Sequence, residues 1–133
     1  MSTVMQKTIL LVDDDEEEFY IIKLALDMAQ ISCHCVWASG LEQAKQIVKG
    51  LQPDFIFIDI NMPRCNGISC LEKLKEMEQL QQSVFVMYST HISETDHDKA
   101  MELGAAYCIH KPENIKILRK QLLGLFNDKT HSA

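Results

Sequence analysis

The chain has 133 residues, enough for one core and too few for two ordinary domains. With 47% hydrophobic and 24% charged residues, and only 5 Gly and 3 Pro, its composition is globular and leaves little room for linkers or low-complexity segments. A formal charge of -6 argues against nucleic acid or an anionic membrane as a direct partner.

No apolar run approaches the length needed to cross a bilayer, and Met1 to Lys7 lack the basic start and apolar core of an export signal, so a cytoplasmic protein is expected. Five cysteines, Cys33, Cys35, Cys65, Cys70 and Cys108, make an odd set that reads as free thiols. Cys33-His34-Cys35 is a poor metal motif, because alternate residues of a strand point to opposite faces and no paired Cys-x-x-Cys follows.

In chain order, Thr8-Ile9-Leu10-Leu11-Val12 is a short β-prone run that stops at six consecutive acidic residues, Asp13 to Glu18. Asp15 to Glu18 suit the first turn of a helix, where negative charge favours the dipole; Asp13 and Asp14 fall earlier, at the strand tip. Phe19, Ile22, Leu26 and Ala29 then recur at helical spacing, to an end near Gln30. Residues 31–37 form a second, more polar strand, nearer a sheet edge, and Ser39 is the expected cap of a helix carrying Leu41, Ala44, Ile47 and Val48 and stopped by Gly50.

Phe55-Ile56-Phe57-Ile58 predicts a fully buried third strand that delivers Asp59 to its C-terminal tip, where Pro63 and Gly67 punctuate a turn. Ile68, Leu71 and Leu74 form the inner face of the next helix. Val84-Phe85-Val86-Met87-Tyr88 is a fourth strand ending in Ser89-Thr90. Ser93 with Asp96 starts the least apolar helix, which ends at Gly104, and its weak stripe implies movable packing. Residues 107–110 are a short fifth strand ending in Lys111-Pro112, before a helix with Ile115, Leu118, Leu122 and Leu125 inward.

Strand and helix thus alternate five times. That order predicts an α/β fold, a doubly wound, three-layer parallel five-stranded sheet with right-handed crossovers, occupying residues 8–127 between tails at 1–7 and 128–133. The strand tips deliver Asp13 and Asp14, Asp59, Ser89 or Thr90, and Lys111 to one crevice. Clustered carboxylates repel unless a cation sits among them, which suits a hard divalent ion such as Mg²⁺. A lysine and a hydroxyl beside them suit a phosphoryl group, with Asp59 as the nucleophile.

On Asp13-Asp14, Asp59-x-x-Met62-Pro63-x-x-x-Gly67, Ser89, and Gly104-Ala105 followed by Lys111-Pro112, the chain resembles receiver domains of two-component response regulators, most closely the stand-alone, chemotaxis-regulator-like type. The resemblance spans about residues 8–126. It implies a flavodoxin-like strand order of 2-1-3-4-5. It makes Asp59 the phosphoacceptor, Asp13, Asp14, Asp59 and the backbone carbonyl of Asn61 the ligands of Mg²⁺ (with Mn²⁺ as substitute), and Ser89 and Lys111 the contacts to the phosphoryl oxygens.

It also implies a cis Lys111-Pro112 peptide, a histidine kinase or histidine phosphotransfer protein as donor, self-catalysed loss of the phosphoryl group without other enzymatic activity, and a protein target on the face of the fourth helix, fifth strand and fifth helix. The chain would act as a monomer or a phosphorylation-dependent dimer. Two positions depart from the family; the milder is Glu16, which stands where Pro often follows the acidic run and which a helix start accepts easily. Three residues before Lys111, where an aromatic side chain is usual, stands Cys108; Tyr107 is one place off, and one place along a strand reverses the face, so Ser89 and the fourth helix are expected to carry the conformational readout. Two other readings share some of these residues. An aspartyl-nucleophile hydrolase usually has a second acid two places after the nucleophile, where this chain has Asn61, and a phosphorylation-independent interaction module would not need the intact set.

Overall fold

The computed structural model describes residues 6–128. The elements are β1 Lys7–Val12, α1 Glu16–Met28, β2 Cys33–Ala38, α2 Leu41–Ile47, β3 Phe55–Ile58, α3 Gly67–Lys75, a 3-10 turn at Glu78–Leu80, β4 Val84–Ser89, α4 Glu94–Glu102, β5 Tyr107–His110 and α5 Ile115–Asn127. All neighbouring strands are parallel and the sheet order is β2-β1-β3-β4-β5, the flavodoxin-like arrangement. The expected tails at 1–7 and 128–133 fall mostly outside the described residues, and Lys7 already belongs to β1.

The core divides into two layers because successive strand residues face opposite ways. Leu10, Val12, Ile56, Ile58, Phe85 and Met87 face α2, α3 and α4 together with Ala44, Ile68, Leu71, Leu74 and Ala100. Ile9, Leu11, Phe55, Phe57, Val86 and Tyr88 face α1 and α5 with Ile22, Leu26, Leu118, Leu122 and Leu125. All four residues of β3 are buried, as a strand covered on both faces requires. β2 lies at the edge and is only partly buried; Cys33 and Cys35 pack toward α1 while His34 is exposed. Among the described residues no helix is long and apolar enough to cross a membrane.

Side chains cap most of the helix starts. Asp15 accepts from the Glu17 N–H, Asn66 from Ile68, Ser93 from Asp96 and Asn114 from Lys116. The exception is α2, where Gly40 and not Ser39 holds the cap position and makes no side-chain bond. Ser39 stands one residue too early, and its N–H is taken instead by Gln43 Oε1 at 2.6 Å. A second correction concerns Lys111-Pro112. No peptide bond among the described residues is cis; the Lys111 N–H continues the β4 pairing to Ser89 O at 2.9 Å, and its side chain reaches the carboxylates from the ordinary trans geometry. Gly67 permits the turn after β3, because a Cβ there would collide with the carbonyl of Asp59 and the Cα of Ile60.

Candidate functional site

Three parallel strands, β1, β3 and β4, end side by side, and the residues just past their last pairs meet above the sheet. The Asp13 N–H bonds Ala38 O and the Asp59 N–H bonds Val12 O, both at 3.0 Å, so the ladder extends one step and fixes both aspartates at the tips. Carboxylate oxygens of Asp13, Asp14 and Asp59 lie within 4.8 Å of one another. Asp13 is fully buried and Asp59 is nearly so, while Asp14 faces solvent. Asp13 Oδ1 accepts from the Asp15 N–H at 2.9 Å, turning the chain into α1.

Lys111 supplies the positive charge. Its Nζ donates to Asp13 Oδ2 at 2.9 Å and Asp59 Oδ2 at 3.3 Å, and lies 5.5 Å from the centre of the Tyr88 ring. Burial alone would lower the lysine pKa, but the hydrogen bond to Asp13 and the charges of Asp13, Asp59 and Glu18 outweigh it and leave it raised. Asp13 is raised because desolvation by burial exceeds the relief from Lys111 and from the Asp15 N–H.

The hydroxyl at the site is that of Ser89, which is buried, whereas Thr90 is exposed. Ser89 Oγ donates to Asp59 Oδ1 at 2.8 Å, and that same oxygen accepts from the Asn61 N–H at 3.0 Å. Asn61 Nδ2 donates in turn to Ser89 Oγ at 2.9 Å and to the His91 carbonyl at 3.0 Å. The Asn61 carboxamide therefore ties the loop after β3 to the loop before α4 through the serine that touches Asp59.

All of the residues read from the strand tips are thus brought together. Two others join them. Glu18 was read as a helix-start charge, yet its Oε1 lies 3.9 Å from Lys111 Nζ. The signal was its spacing, one helical turn beyond Asp14, since side chains in a helix lean back toward its N-terminus. Trp37 donates its indole N–H to the Asp13 carbonyl at 2.7 Å; it lies on β2 paired with Leu11, within reach of the β1 tip. At the departing position of β5, Cys108 faces the α4 side, with Sγ 4.0 Å from Met101 Sδ, and Tyr107 faces the α5 side, with its hydroxyl on Asp128. Tyr107, the tyrosine of β5, thus faces away from α4.

The comparisons agree with this architecture. The response regulator receiver domain family matches residues 9–123. The chain is 37% identical over 106 residues to the transcriptional regulatory protein CpxR of Klebsiella pneumoniae, covering 80% of this chain and 43% of that one. It spans less than half the length of the curated relatives it matches. Among solved structures, the phosphorylated cyanobacterial phytochrome response regulator RcpA superposes with a TM-score of 0.79 at 25% identity, over 91% of each chain. A CheY-like receiver domain protein from Methanospirillum hungatei superposes with a TM-score of 0.80 at 20% identity, over 97% of this chain and all of that one.

Proposed function

The chain belongs to the response regulator receiver domain family of two-component systems, and on that premise we propose that Asp59 accepts a phosphoryl group from a histidine kinase or histidine phosphotransfer protein in the cytoplasm, and that the modified chain then engages a protein target. The observation that carries this is the treatment of one carboxylate. Asp59 is buried and held at Oδ1 by Ser89 and at Oδ2 by Lys111, beside two further carboxylates. Burying that much acid is costly unless a cation is shared among the groups.

The donor set fits Mg²⁺, or Mn²⁺ in its place: the oxygens are hard, close together and include a buried Asp13 whose charged form burial disfavours. Asp13, Asp14, Asp59 and the main-chain carbonyl of Asn61 would hold it. When bound it supplies charge neutralisation for the oxygens of the phosphoryl group.

The chain's own residues do the rest. An Asp59 oxygen forms the new bond to phosphorus as the donor's P–N bond breaks, and the electron pair of that bond leaves with the imidazole. Lys111 turns from Asp59 Oδ2 to a phosphoryl oxygen, and Ser89 gives up Asp59 Oδ1 to donate to another. That movement disturbs the bond that Ser89 Oγ accepts from Asn61 Nδ2, the amide that also donates to the His91 carbonyl. Loss of the group is hydrolysis: a water oxygen bonds to phosphorus as the P–O bond to Asp59 breaks, regenerating the Asp59 carboxylate and releasing inorganic phosphate. Beyond this chemistry on its own Asp59, we assign the chain no catalytic turnover. The target would dock on the face of α4, β5 and α5, with the chain a monomer or a phosphorylation-dependent dimer.

The test is incubation with Mg²⁺ and acetyl phosphate, read by intact-mass spectrometry. One phosphoryl group per chain should be gained, and Asp59→Asn should gain none. Rapid consumption of acetyl phosphate without a modified chain, or modification that persists in Asp59→Asn, would contradict the assignment.

A further inference from the structure

We propose that Glu18 is a positioning residue of the phosphoacceptor site: it holds the Lys111 ammonium on the α1 side and sets the balance between affinity for a divalent cation and affinity for the phosphoryl anion. The inference rests on Asp59 being the phosphoacceptor. Of the acidic residues that begin α1, Glu16 and Glu17 are exposed, and Asp15 caps the helix; Glu18 alone turns toward the site. Its side chain is 19% exposed and that of Lys111 11%, so the pair is screened far less than a surface ion pair.

At 3.9 Å the contact is an ion pair rather than a hydrogen bond, which leaves Lys111 free to swing while biasing where it rests. Four carboxylates, Asp13, Asp14, Asp59 and Glu18, against one ammonium leave a formal charge of -3. Asp13, Asp14 and Asp59 all have oxygens in the cluster fit for a cation; Glu18 is the carboxylate that touches Lys111 without belonging to that cluster. Once a cation draws on Asp13 and Asp59, Glu18 remains as the uncommitted counter-charge of the lysine.

Two effects of opposite sign follow from Coulomb's law alone. The Glu18 charge attracts a divalent cation, and it also repels a phosphoryl anion and competes with it for Lys111. Replacing Glu18 by Gln keeps the size and removes the charge. Cation binding should weaken, and anion binding at saturating cation should strengthen. A general loss of structure would weaken both.

Trp37, the only tryptophan, reports on the site because its indole is bonded to the Asp13 carbonyl. Mg²⁺ titration of the full chain followed by Trp37 fluorescence gives the cation affinity, and beryllofluoride titration in saturating Mg²⁺ followed by amide NMR gives the anion affinity. Glu18→Gln should weaken Mg²⁺ binding roughly threefold to tenfold and tighten beryllofluoride binding by a similar factor, as expected for one charge a few ångströms away at a partly screened site. Glu18→Asp, which keeps the charge, should retain wild-type cation affinity within about twofold. Glu17→Gln, at an exposed neighbouring position, should leave both affinities within about twofold.

Parallel changes in the two affinities, no change in either, or the same opposite shifts in Glu17→Gln would overturn the inference alone. Failure of the unsubstituted chain to bind beryllofluoride would overturn the phosphoacceptor reading and this inference with it.

Discussion

α4 and α5 both pack against β5, yet α5 buries Leu118, Leu122 and Leu125 over thirteen residues and α4 buries Ala100 alone over nine. The side chains between them follow the same division. On the α5 side, Phe55 and Phe126 have ring centres 4.8 Å apart, and the Tyr107 hydroxyl bonds Asp128 near the helix end. On the α4 side, Cys108 meets Met101, which is itself 41% exposed. Burial of apolar surface is the main source of local stability, so α5 is fastened to the sheet and α4 is free to shift at small cost. A change at Ser89, whose loop leads straight into α4, has an easy route through that helix and a stiff one through α5.

Truncation should expose the contrast most strongly. Leu122→Ala on α5 should cost about 3 kcal/mol in urea denaturation, the usual penalty for emptying a leucine site in a closed core. Ala100→Gly on α4 should cost about 1 kcal/mol, the propensity loss of a helix interior with one methyl removed. Similar costs for the two substitutions would remove the basis for treating α4 as the movable element.

A smaller effect is expected from pH, and it belongs to the site rather than to either helix. Asp13 lies above its ordinary 3.8 and Glu18 above its ordinary 4.5, in each case chiefly because burial penalises the charged form. A carboxyl that holds its proton more tightly in the folded chain stabilises the fold while protonated. This contribution is complete below the ordinary value and is lost as pH rises through the raised native value. Without divalent cation, the melting temperature should therefore fall as pH climbs above about 4.5 toward neutrality. Saturating Mg²⁺, which binds only the folded site, should offset most of the fall. A metal-free melting temperature that rises across that interval would contradict the burial cost assigned to Asp13 and Glu18.

How much of this was legible in the sequence depends on whether local pattern or tertiary approach decided the outcome. The five strands, their order of burial and the edge position of β2 follow from runs such as Phe55 to Ile58 and from the more polar 31–37 stretch, because burial on two faces demands continuous apolar residues. Asp13, Asp14, Asp59, Ser89 and Lys111 were legible as residues that end strands, and parallel strands end together. Ser39 misled because capping depends on where the chain turns into α2, one residue later than composition suggests. Glu18 and Trp37 were hidden for a different reason. A charge in a first helical turn and an aromatic on an edge strand each have an ordinary explanation, and only the approach of α1 and β2 to the β1 tip gives them Lys111 and the Asp13 carbonyl as partners. The weak stripe of α4 was visible, but its meaning needed α5 beside it.

The most direct test of the difference between the two helices is amide NMR of the Mg²⁺-bound chain before and after beryllofluoride. Signals from Ser89 through Gly104, covering the loop after β4 and all of α4, should shift strongly, while those of α5 from Leu118 to Leu125 should barely move. Unmoved signals across 89–110, or shifts in α5 as large as those in α4, would contradict a readout carried by Ser89 into a loosely held helix.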